Sequence, residues 1–553
     1  MKRVVNPVHT LKKLALCAGL GFLWTLSYPQ WQMVGFAWII PACLIALSAN
    51  LKLKAVFGWC YLASWIHSAT TLYWLLNMPH FAGAIAGWLS LTLYTAIYPA
   101  LWACLFWGLL LRSQILCQKA VQKRKGTLEW FRSLTLIESQ RIALVGAMLW
   151  VGAEWMMSHL LTGFPWLILG ATQLTWGPLA QTASLGGVSM ISFVMVWTSL
   201  SVGMGLIRTQ LTNPHPWKWI PDSILPLGVV LLLNVYGYQR IQLIESLRSE
   251  ETIRVGLVQP AFPQTLIWDA EEDQTRFEEL LKLSEAALQL SPDLLLWPEG
   301  AFPGNVNTVE PLWELLNKYK AWLCFNGTDV DVKSQETDNP RIYNSAFLMD
   351  PSGRLKGTYH KRHLVMFGEF VPFSDQLPFL KMLTPIQNLF TAGVEAQVFH
   401  LPDMGVALYP LICFEDVMPY LCDQTRQKKA DILINLTNDG WFKESAAQIQ
   451  HASLAAFRSI ETGLPMIRCG NNGLSCWIDP AGKIRATDSG GDPSDVYDQG
   501  FRIVEIPKNW EMKPTVYQKV GRFFPAVCFW AGLLPSLFLI LKSRRSREIK
   551  SKN

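Results

Sequence analysis

Apolar runs long enough to cross a lipid bilayer crowd into the first 240 residues of this chain. A membrane-spanning helix needs about 20 consecutive, predominantly apolar residues, because the hydrocarbon core of a bilayer is about 30 Å thick. A mixed, charged region from Glu251 to Lys508 follows these runs, and one more apolar run comes after it. The distribution therefore divides the chain into a part built for the membrane and a part built for water.

Eight segments approach the length of a span, so the sequence predicts a polytopic α-helical membrane domain over residues 1–240 with about seven spans, and an eighth span later in the chain. The predicted spans are 13–29, 33–49, 55–77, 83–111, 141–162, 180–207, 223–239 and 523–542. A basic tail, 543–553, follows the last of them.

Lys and Arg in short loops predict the orientation of these spans, because basic loops stay on the cytoplasmic side. Basic residues precede the first predicted span, follow the second, fourth and sixth, and fill the tail. The alternate loops contain neither Lys nor Arg, and they are Ser27–Gln32, Asn77–Ala82 and Gly163–Gly177. We therefore expect both termini in the cytoplasm and the region 251–508 on the opposite side.

Charge and cysteine content narrow the function further. A formal net charge of +6 fits cytoplasmic loops lying on anionic lipid, so the sequence predicts no nucleic-acid partner. The 11 cysteines form no CxxC pair and no His/Cys spacing suited to zinc, so no metal site is predicted. His451 has no second ligand at metal spacing and receives no role. Whether Cys469 and Cys476 form a disulfide stays open.

The region 251–508 alternates short apolar strands with helices, which is typical of a layered α/β domain. Three of its predicted strands end in polar turns that carry reactive groups: Glu299 follows the first, Lys361 and Glu369 follow the second, and Cys413 ends the third, with Glu415 close behind. A thiol nucleophile needs a base to take its proton and a cation to hold an oxyanion. Singly, each residue has a plain structural explanation, such as a core cysteine or a solvated turn. The ordered set favours catalysis.

These segments resemble the Glu, Lys and Cys motifs of a known superfamily, the nitrilases. The matching strings are Trp297-Pro298-Glu299-Gly300, Tyr359-His360-Lys361 with Phe367-Gly368-Glu369-Phe370-Val371-Pro372, and Cys413-Phe414-Glu415. With its flanking spans, the chain resembles the membrane branch of that superfamily, the apolipoprotein N-acyltransferases, over almost its whole length. The resemblance implies an α-β-β-α sandwich for 251–508. It also implies Glu299 as general base, Lys361 as oxyanion stabiliser, Cys413 as nucleophile, and Glu369 and Glu415 as supporting acids.

The resemblance implies an activity as well. A fatty acyl group would move from a membrane phospholipid, through a thioester on Cys413, to the N-terminal amino group of the S-diacylglyceryl-cysteine of an apolipoprotein. No cofactor is expected, because forming an amide from a thioester is downhill. A bacterial cytoplasmic membrane, with the catalytic domain on the periplasmic side, is the implied location. Trp268, Phe367 and Phe414 are further candidates for contact with lipid, although a core position is the more common one for a tryptophan such as Trp268.

Two other functions stay open on the sequence alone. A membrane-tethered amidase that hydrolyses a small amide would use the same three groups with water as the acceptor. A transporter or scaffold would carry an inert outer domain, but transporters usually show repeated halves, which this sequence lacks. Substrates that reside in the bilayer explain the many spans better than a small soluble amide does. The segment 366–390 is predicted to be a lid or, equally, core, and the charged insertion 112–140 has no assigned role.

Overall fold

The computed structural model describes residues 7–117, 134–211, 220–304, 306–334, 340–373, 376, 390–485, 497–508, 510, 512–536 and 538. The chain divides into two compact units. We call Met1–Tyr73, Trp88–Tyr238 and Val520–Asn553 the helical unit, and Trp74–Gly87 with Gln239–Lys519 the sandwich unit. The basic tail 543–553, much of the insertion 112–140 and most of the segment 366–390 lie outside the described residues.

Long apolar helices dominate the first 246 residues. The α-helices of this part, long and short, are in chain order α1 Pro7–Thr25, α2 Ile40–Leu47, α3 Leu53–Thr71, α4 Phe81–Cys117, α5 Leu136–Met157, α6 Gly177–Ala180, α7 Ala183–Gly186, α8 Val188–Leu211 and α9 Ile220–Ser246. Residues 524–536 are also helical. A side chain in place of Gly146 on α5 would collide with Leu200 on α8 and Phe106 on α4. The small residue thus lets three helices approach closely, as is common in membrane bundles.

Four helices of the described part of the chain are long and apolar enough to cross a bilayer: Phe81–Leu110, Leu136–Met157, Val188–Ile207 and Ile220–Ser246. They overlap the predicted spans 83–111, 141–162, 180–207 and 223–239. The other four spans stay predictions. One of them, 33–49, is divided into a 3-10 helix, Val34–Trp38, and the eight-residue α2. Pro41 lies in the first turn of α2, where a proline favours the start of a new helix.

Two six-stranded sheets form the sandwich unit. Their strands are β1 Thr252–Gln259, β2 Leu294–Leu296, β3 Trp322–Val330, β4 Ile342–Met349, β5 Leu355–His360, β6 Phe399–Leu401, β7 Val406–Ile412, β8 Ile432–Asn438, β9 Met466–Asn471, β10 Cys476–Ile478, β11 Ile484–Arg485 and β12 Gly500–Pro507. The strand orders are β12-β1-β2-β3-β4-β5 and β11-β10-β9-β8-β7-β6. The three central strands of each sheet, β1-β2-β3 and β7-β8-β9, are parallel and are flanked by antiparallel strands.

The sheets are held together by apolar side chains from both, which form one buried core cluster. Leu296 and Cys324 come from the first sheet, and Ile434 and Ile467 come from the second. The remaining helices of this unit are α10 Gln264–Ile267, α11 Asp273–Leu288, α12 Glu310–Tyr319, α13 Ala447–Thr462 and α14 Val516–Lys519. Helices α11 and α12 form a second apolar cluster with residues of β2 and β3. The layered α/β domain predicted from the sequence is confirmed.

Cysteines in this unit are free thiols. Cys469 and Cys476 lie on neighbouring strands, both buried, and neither forms a disulfide. Cys324 and Cys422 are also buried and free, whereas Cys413 is partly exposed. Partial exposure separates Cys413 from the other four, because a thiol that reacts must be reached by its substrate.

Candidate active site

Cys413 lies immediately after β7, at the first residue of the 3-10 helix Cys413–Val417. Its φ of +53° is in the left-handed region, which costs a residue with a side chain about 1–3 kcal/mol. Two hydrogen bonds hold this turn: the Asn435 amide donates to the Cys413 carbonyl at 2.8 Å, and the Ile412 N–H donates to Glu415 at 2.9 Å. These bonds stabilise the strained turn that carries the thiol.

Glu415 links the cysteine turn to the segment that carries Lys361. Its Oε1 accepts the N–H groups of Arg362 at 2.7 Å and His363 at 3.0 Å. Its Oε2 accepts the Tyr359 hydroxyl at 2.8 Å in addition to the Ile412 N–H. Burial raises the pKa of the Glu415 carboxyl, and these donors act in the opposite direction. Both oxygens are therefore occupied in holding two segments together.

Lys361 is buried between two carboxylates. Its Nζ lies 2.8 Å from Glu369 Oε1 and 3.3 Å from Glu299 Oε1. Asn344, on β4, donates its amide to the same two oxygens at 2.9 Å for Glu299 and 2.8 Å for Glu369. The other oxygen of Glu299 accepts the Asn438 N–H at 3.2 Å. One ammonium and one amide thus fix both carboxylates at the end of the first sheet.

Electrostatics keep the lysine charged and the thiol protonated. Burial acts to lower the pKa of Lys361, but Glu299 and then Glu369 raise it well above its usual value. Burial raises the pKa of the Cys413 thiol, and Glu299 raises it further, while Lys361 lowers it. A thiol in this state reacts only after a base takes its proton. The charges of Glu299 and Lys361 both act on the sulfur, so a carboxylate and an ammonium lie near it.

The three candidates for lipid contact are all at least partly exposed. Trp268 is 46% exposed and packs edge to face against Trp441, with ring centroids 5.2 Å apart. It is therefore not a core residue. Phe367 is 36% exposed, and Phe414 is partly buried with its ring 5.8 Å from that of His363. All three rings therefore leave apolar surface accessible from outside the domain.

Sequence reasoning missed Asn344, Thr437 and Asn438. Asn344 stands in a strand whose neighbours are mostly apolar, and a buried amide there signals a specific partner. Thr437, near the end of β8, follows the residue that pairs with Ile412, so it lies next to Cys413, and it lowers the pKa of that thiol. None of the three residues belongs to a recognisable sequence motif, so only the fold identifies their neighbours. Within the described ranges, no group of three or more His, Cys, Asp or Glu side chains is placed to hold a metal ion.

Comparison with known proteins assigns the domain that contains this site to a class of proteins. Residues 254–492 match the family model of carbon-nitrogen hydrolases. The two-sheet sandwich and this match define a nitrilase-like domain. Among solved structures, an amidase from Nesterenkonia sp. is 16% identical to the chain, with 47% of this chain and 91% of that chain covered and a TM-score of 0.33.

The rest of the chain narrows the class. Residues 20–201 match the N-terminal domain of apolipoprotein N-acyltransferases. The apolipoprotein N-acyltransferase of Geobacter metallireducens is 31% identical over 474 residues, which cover 84% of this chain and 85% of that protein. The apolipoprotein N-acyltransferase of Rickettsia typhi is 32% identical over 405 residues, which cover 72% of this chain and 75% of that protein. That of Vibrio vulnificus is 29% identical over 495 residues, which cover 87% of this chain and 89% of that protein. The chain belongs to the apolipoprotein N-acyltransferase family. This membership and the four apolar helices make it a membrane protein.

Proposed function

We propose that the chain transfers a fatty acyl group from a membrane phospholipid to the N-terminal amino group of the S-diacylglyceryl-cysteine of apolipoproteins. One observation carries the proposal: Lys361 bridges Glu299 and Glu369, and the charges of Lys361 and Glu299 both act on the thiol of Cys413. The family membership adds the acceptor and the membrane setting.

In the first half-reaction, Glu299 takes the proton of the Cys413 thiol and the sulfur attacks the carbonyl carbon of a phospholipid ester. The ammonium of Lys361 stabilises the tetrahedral oxyanion. When the carbon–oxygen bond breaks, the departing alkoxide takes the proton from Glu299. A lysophospholipid leaves, and the acyl group remains on Cys413 as a thioester.

In the second half-reaction, the amino group of the acceptor attacks the thioester carbonyl. Glu299 takes a proton from the amine as the carbon–nitrogen bond forms, and Lys361 again stabilises the oxyanion. The carbon–sulfur bond then breaks, and the thiolate of Cys413 recovers its proton from Glu299. An ester and an amine have become an amide and an alcohol, so the three side chains return to their starting state.

The other acids act by holding these groups. Glu369 keeps Lys361 charged and fixed at 2.8 Å, and Asn344 holds Glu299 and Glu369 in one geometry. Glu415 fixes the turn of Cys413 against the segment after β5. Trp268, Phe367 and Phe414 supply apolar surface for the acyl chains of the donor or of the acceptor.

The proposed arrangement in the membrane follows from the basic loops. Residues 1–240 form a membrane domain of about seven spans, 523–542 form the eighth, and 543–553 lie in the cytoplasm. The catalytic domain, 251–508, faces the periplasm of a bacterial inner membrane. Lys and Arg restricted to one set of alternating loops support this orientation.

A transfer assay tests the function. The full chain in detergent is mixed with phospholipid and a diacylglyceryl peptide that has a free amino terminus. We expect the peptide to gain one acyl group in mass spectrometry, and a peptide with a blocked amine to gain none. Release of free fatty acid at the same rate with and without the peptide would instead favour the amidase, because water would then be the acceptor.

A further inference from the structure

A second buried charged cluster lies beside the active site, and the mechanism above does not use it. It consists of Asp416, Asp439, His451 and Arg468, each at most 3% exposed. His451, on α13, places Nε2 2.8 Å from Asp416 Oδ1 and Nδ1 2.8 Å from Asp439 Oδ1. Arg468, on β9, forms an ion pair with the other oxygen of Asp416 and lies 3.8 Å from Asp439 Oδ2.

Two carboxylates flank the ring of His451. A neutral imidazole has one N–H, so one of these carboxylates would face a nitrogen lone pair instead of a donor. Both nitrogens lie at hydrogen-bond distance from a carboxylate oxygen, and only an imidazolium donates at both positions, so the geometry favours the charged ring. The charged groups that face it are Asp416, Asp439 and Arg468, from three different elements. Two anions and two cations thus balance within this cluster.

Thr437 connects this cluster to the nucleophile. Its hydroxyl lies 3.4 Å from Asp439 Oδ1. The strand register places it next to the nucleophile, because Leu436, the residue before Thr437, pairs with Ile412, the residue before Cys413. After burial and Glu299, Asp439 also raises the pKa of that thiol, whereas Thr437 lowers it. A hydroxyl has a single proton, which can point to the carboxylate or to the sulfur but not to both. The hydrogen bonding of Asp439 therefore determines whether the Thr437 hydroxyl is free to donate to the sulfur.

We propose that His451 is a positioning residue: its charge engages Asp439, so the Thr437 hydroxyl is left to donate to the Cys413 sulfur as the thiolate forms. The inference rests on the proposed function only in taking Cys413 as the nucleophile. Without the imidazolium, Asp416 and Asp439 share the single cation Arg468, so Asp439 faces the sulfur with less positive charge beside it and competes for the Thr437 proton. Both effects oppose the thiolate.

A purely structural role for His451 makes a different prediction. The side chain is buried in α13, so its loss could simply loosen the packing of that helix. In that case removing Asp439 as well would add damage. If charge balance is what matters, removing both partners of the pair removes one cation and one anion and restores the balance.

Alkylation of Cys413 by iodoacetamide tests the inference on the full chain in detergent, followed by mass spectrometry of the Cys413 peptide from neutral to alkaline pH. We expect His451→Gln to react about tenfold more slowly at neutral pH, with its profile displaced to higher pH; tenfold corresponds to one pKa unit of the thiol. The double variant Asp439→Asn with His451→Gln should return towards the wild-type profile. His400→Gln, at an exposed position on β6, should match the wild type.

A second comparison applies if the histidine variant does not fold, as judged by thermal unfolding. Thr437→Ser retains the hydroxyl and should react almost like the wild type, whereas Thr437→Val should react more slowly. Equal rates for these two variants, a wild-type profile for His451→Gln, or a double variant slower than the single one would each overturn the inference. Alkylation needs no lipid, so these outcomes are separate from success or failure of the transfer assay.

Discussion

Both half-reactions of the proposed mechanism depend on the charge of Lys361. It is 1% exposed, and its charge is maintained by Glu299 and Glu369 against the effect of burial. A buried ammonium with two carboxylate partners is fixed in position, so it can stabilise an oxyanion without first reorganising. The cation must stay protonated for this role, and that requirement leads to a pH prediction.

Glu369→Gln should move the alkaline limit of acyl-enzyme formation to lower pH. The substitution removes one of the two carboxylates that raise the pKa of Lys361, so the ammonium loses its proton at lower pH than in the wild type. The measurement is the rate of Cys413 acylation by phospholipid as a function of pH. Glu505→Gln, on an exposed strand position, serves as the control. An unchanged alkaline limb in Glu369→Gln would contradict the role given to this carboxylate.

The sequence predicted residues of this site only where they belong to recognisable motifs. Glu299, Lys361 and Cys413 follow predicted strands. The structure places Lys361 3.3 Å from Glu299, and both charges act on the Cys413 thiol. Asn344, Thr437 and His451 were missed, because each acts on partners distant in the chain. His451 and Asp416 are 35 positions apart, and Asp416 and Arg468 are 52 apart. Contacts of that separation depend on strand order, which a single sequence does not contain.

At the scale of elements, the turn after β7 and the segment after β5 are held together through one carboxylate. Glu415 accepts four hydrogen bonds, three from backbone N–H groups and one from Tyr359. Each buried donor left without a partner costs about 1–3 kcal/mol. The geometry of the active site and the stability of the sandwich unit therefore depend on the same side chain.

Glu415→Ala should lower the thermal unfolding midpoint and abolish acyl transfer together, because the freed donors are buried where the substitution leaves no acceptor. A loss of at least about 3 kcal/mol is expected from several such donors. Glu415→Gln, which keeps one of the two acceptor oxygens, should be milder. Thermal unfolding of the purified chain, followed by intrinsic fluorescence, makes the measurement. A Glu415→Ala protein with wild-type stability and no activity would show that the carboxylate takes part in the chemistry instead.

Element boundaries show where hydropathy stops being informative. The apolar run 33–49 predicts one span, yet the structure begins a new helix at Ile40 after a 3-10 turn. Averaging over a window of apolar residues does not register a proline such as Pro41, whose fixed φ favours the first turn of a helix. In contrast, β2, β5 and β7 end shortly before Glu299, Lys361 and Cys413, as the sequence predicts. Short apolar runs between polar turns have few alternatives in a layered domain.

For the whole molecule, the proposed orientation predicts which side of the membrane each loop faces. In a Cys413→Ala background, a cysteine replacing the exposed Val332 should react with a membrane-impermeant maleimide added outside spheroplasts. A cysteine replacing Asn50, in a loop next to Lys52 and Lys54, should react only after permeabilisation. The reverse pattern would overturn the topology, and with it the access of an exported lipoprotein to the site.

In the proposed mechanism Cys413 carries the acyl group between donor and acceptor, and covalent labelling detects that intermediate directly. The full chain is incubated with phospholipid radiolabelled in its acyl chain, without acceptor, and label retained on the protein is counted. We expect label that neutral hydroxylamine removes and no label on Cys413→Ala with the other cysteines in place. Labelling should be at least about a hundredfold slower for Lys361→Ala than for the exposed control Lys356→Ala. Adding a diacylglyceryl peptide with a free amine should discharge the label. Label that persists on Cys413→Ala, or that water discharges as fast as the peptide does, would rule out Cys413 as the acyl carrier of a transferase.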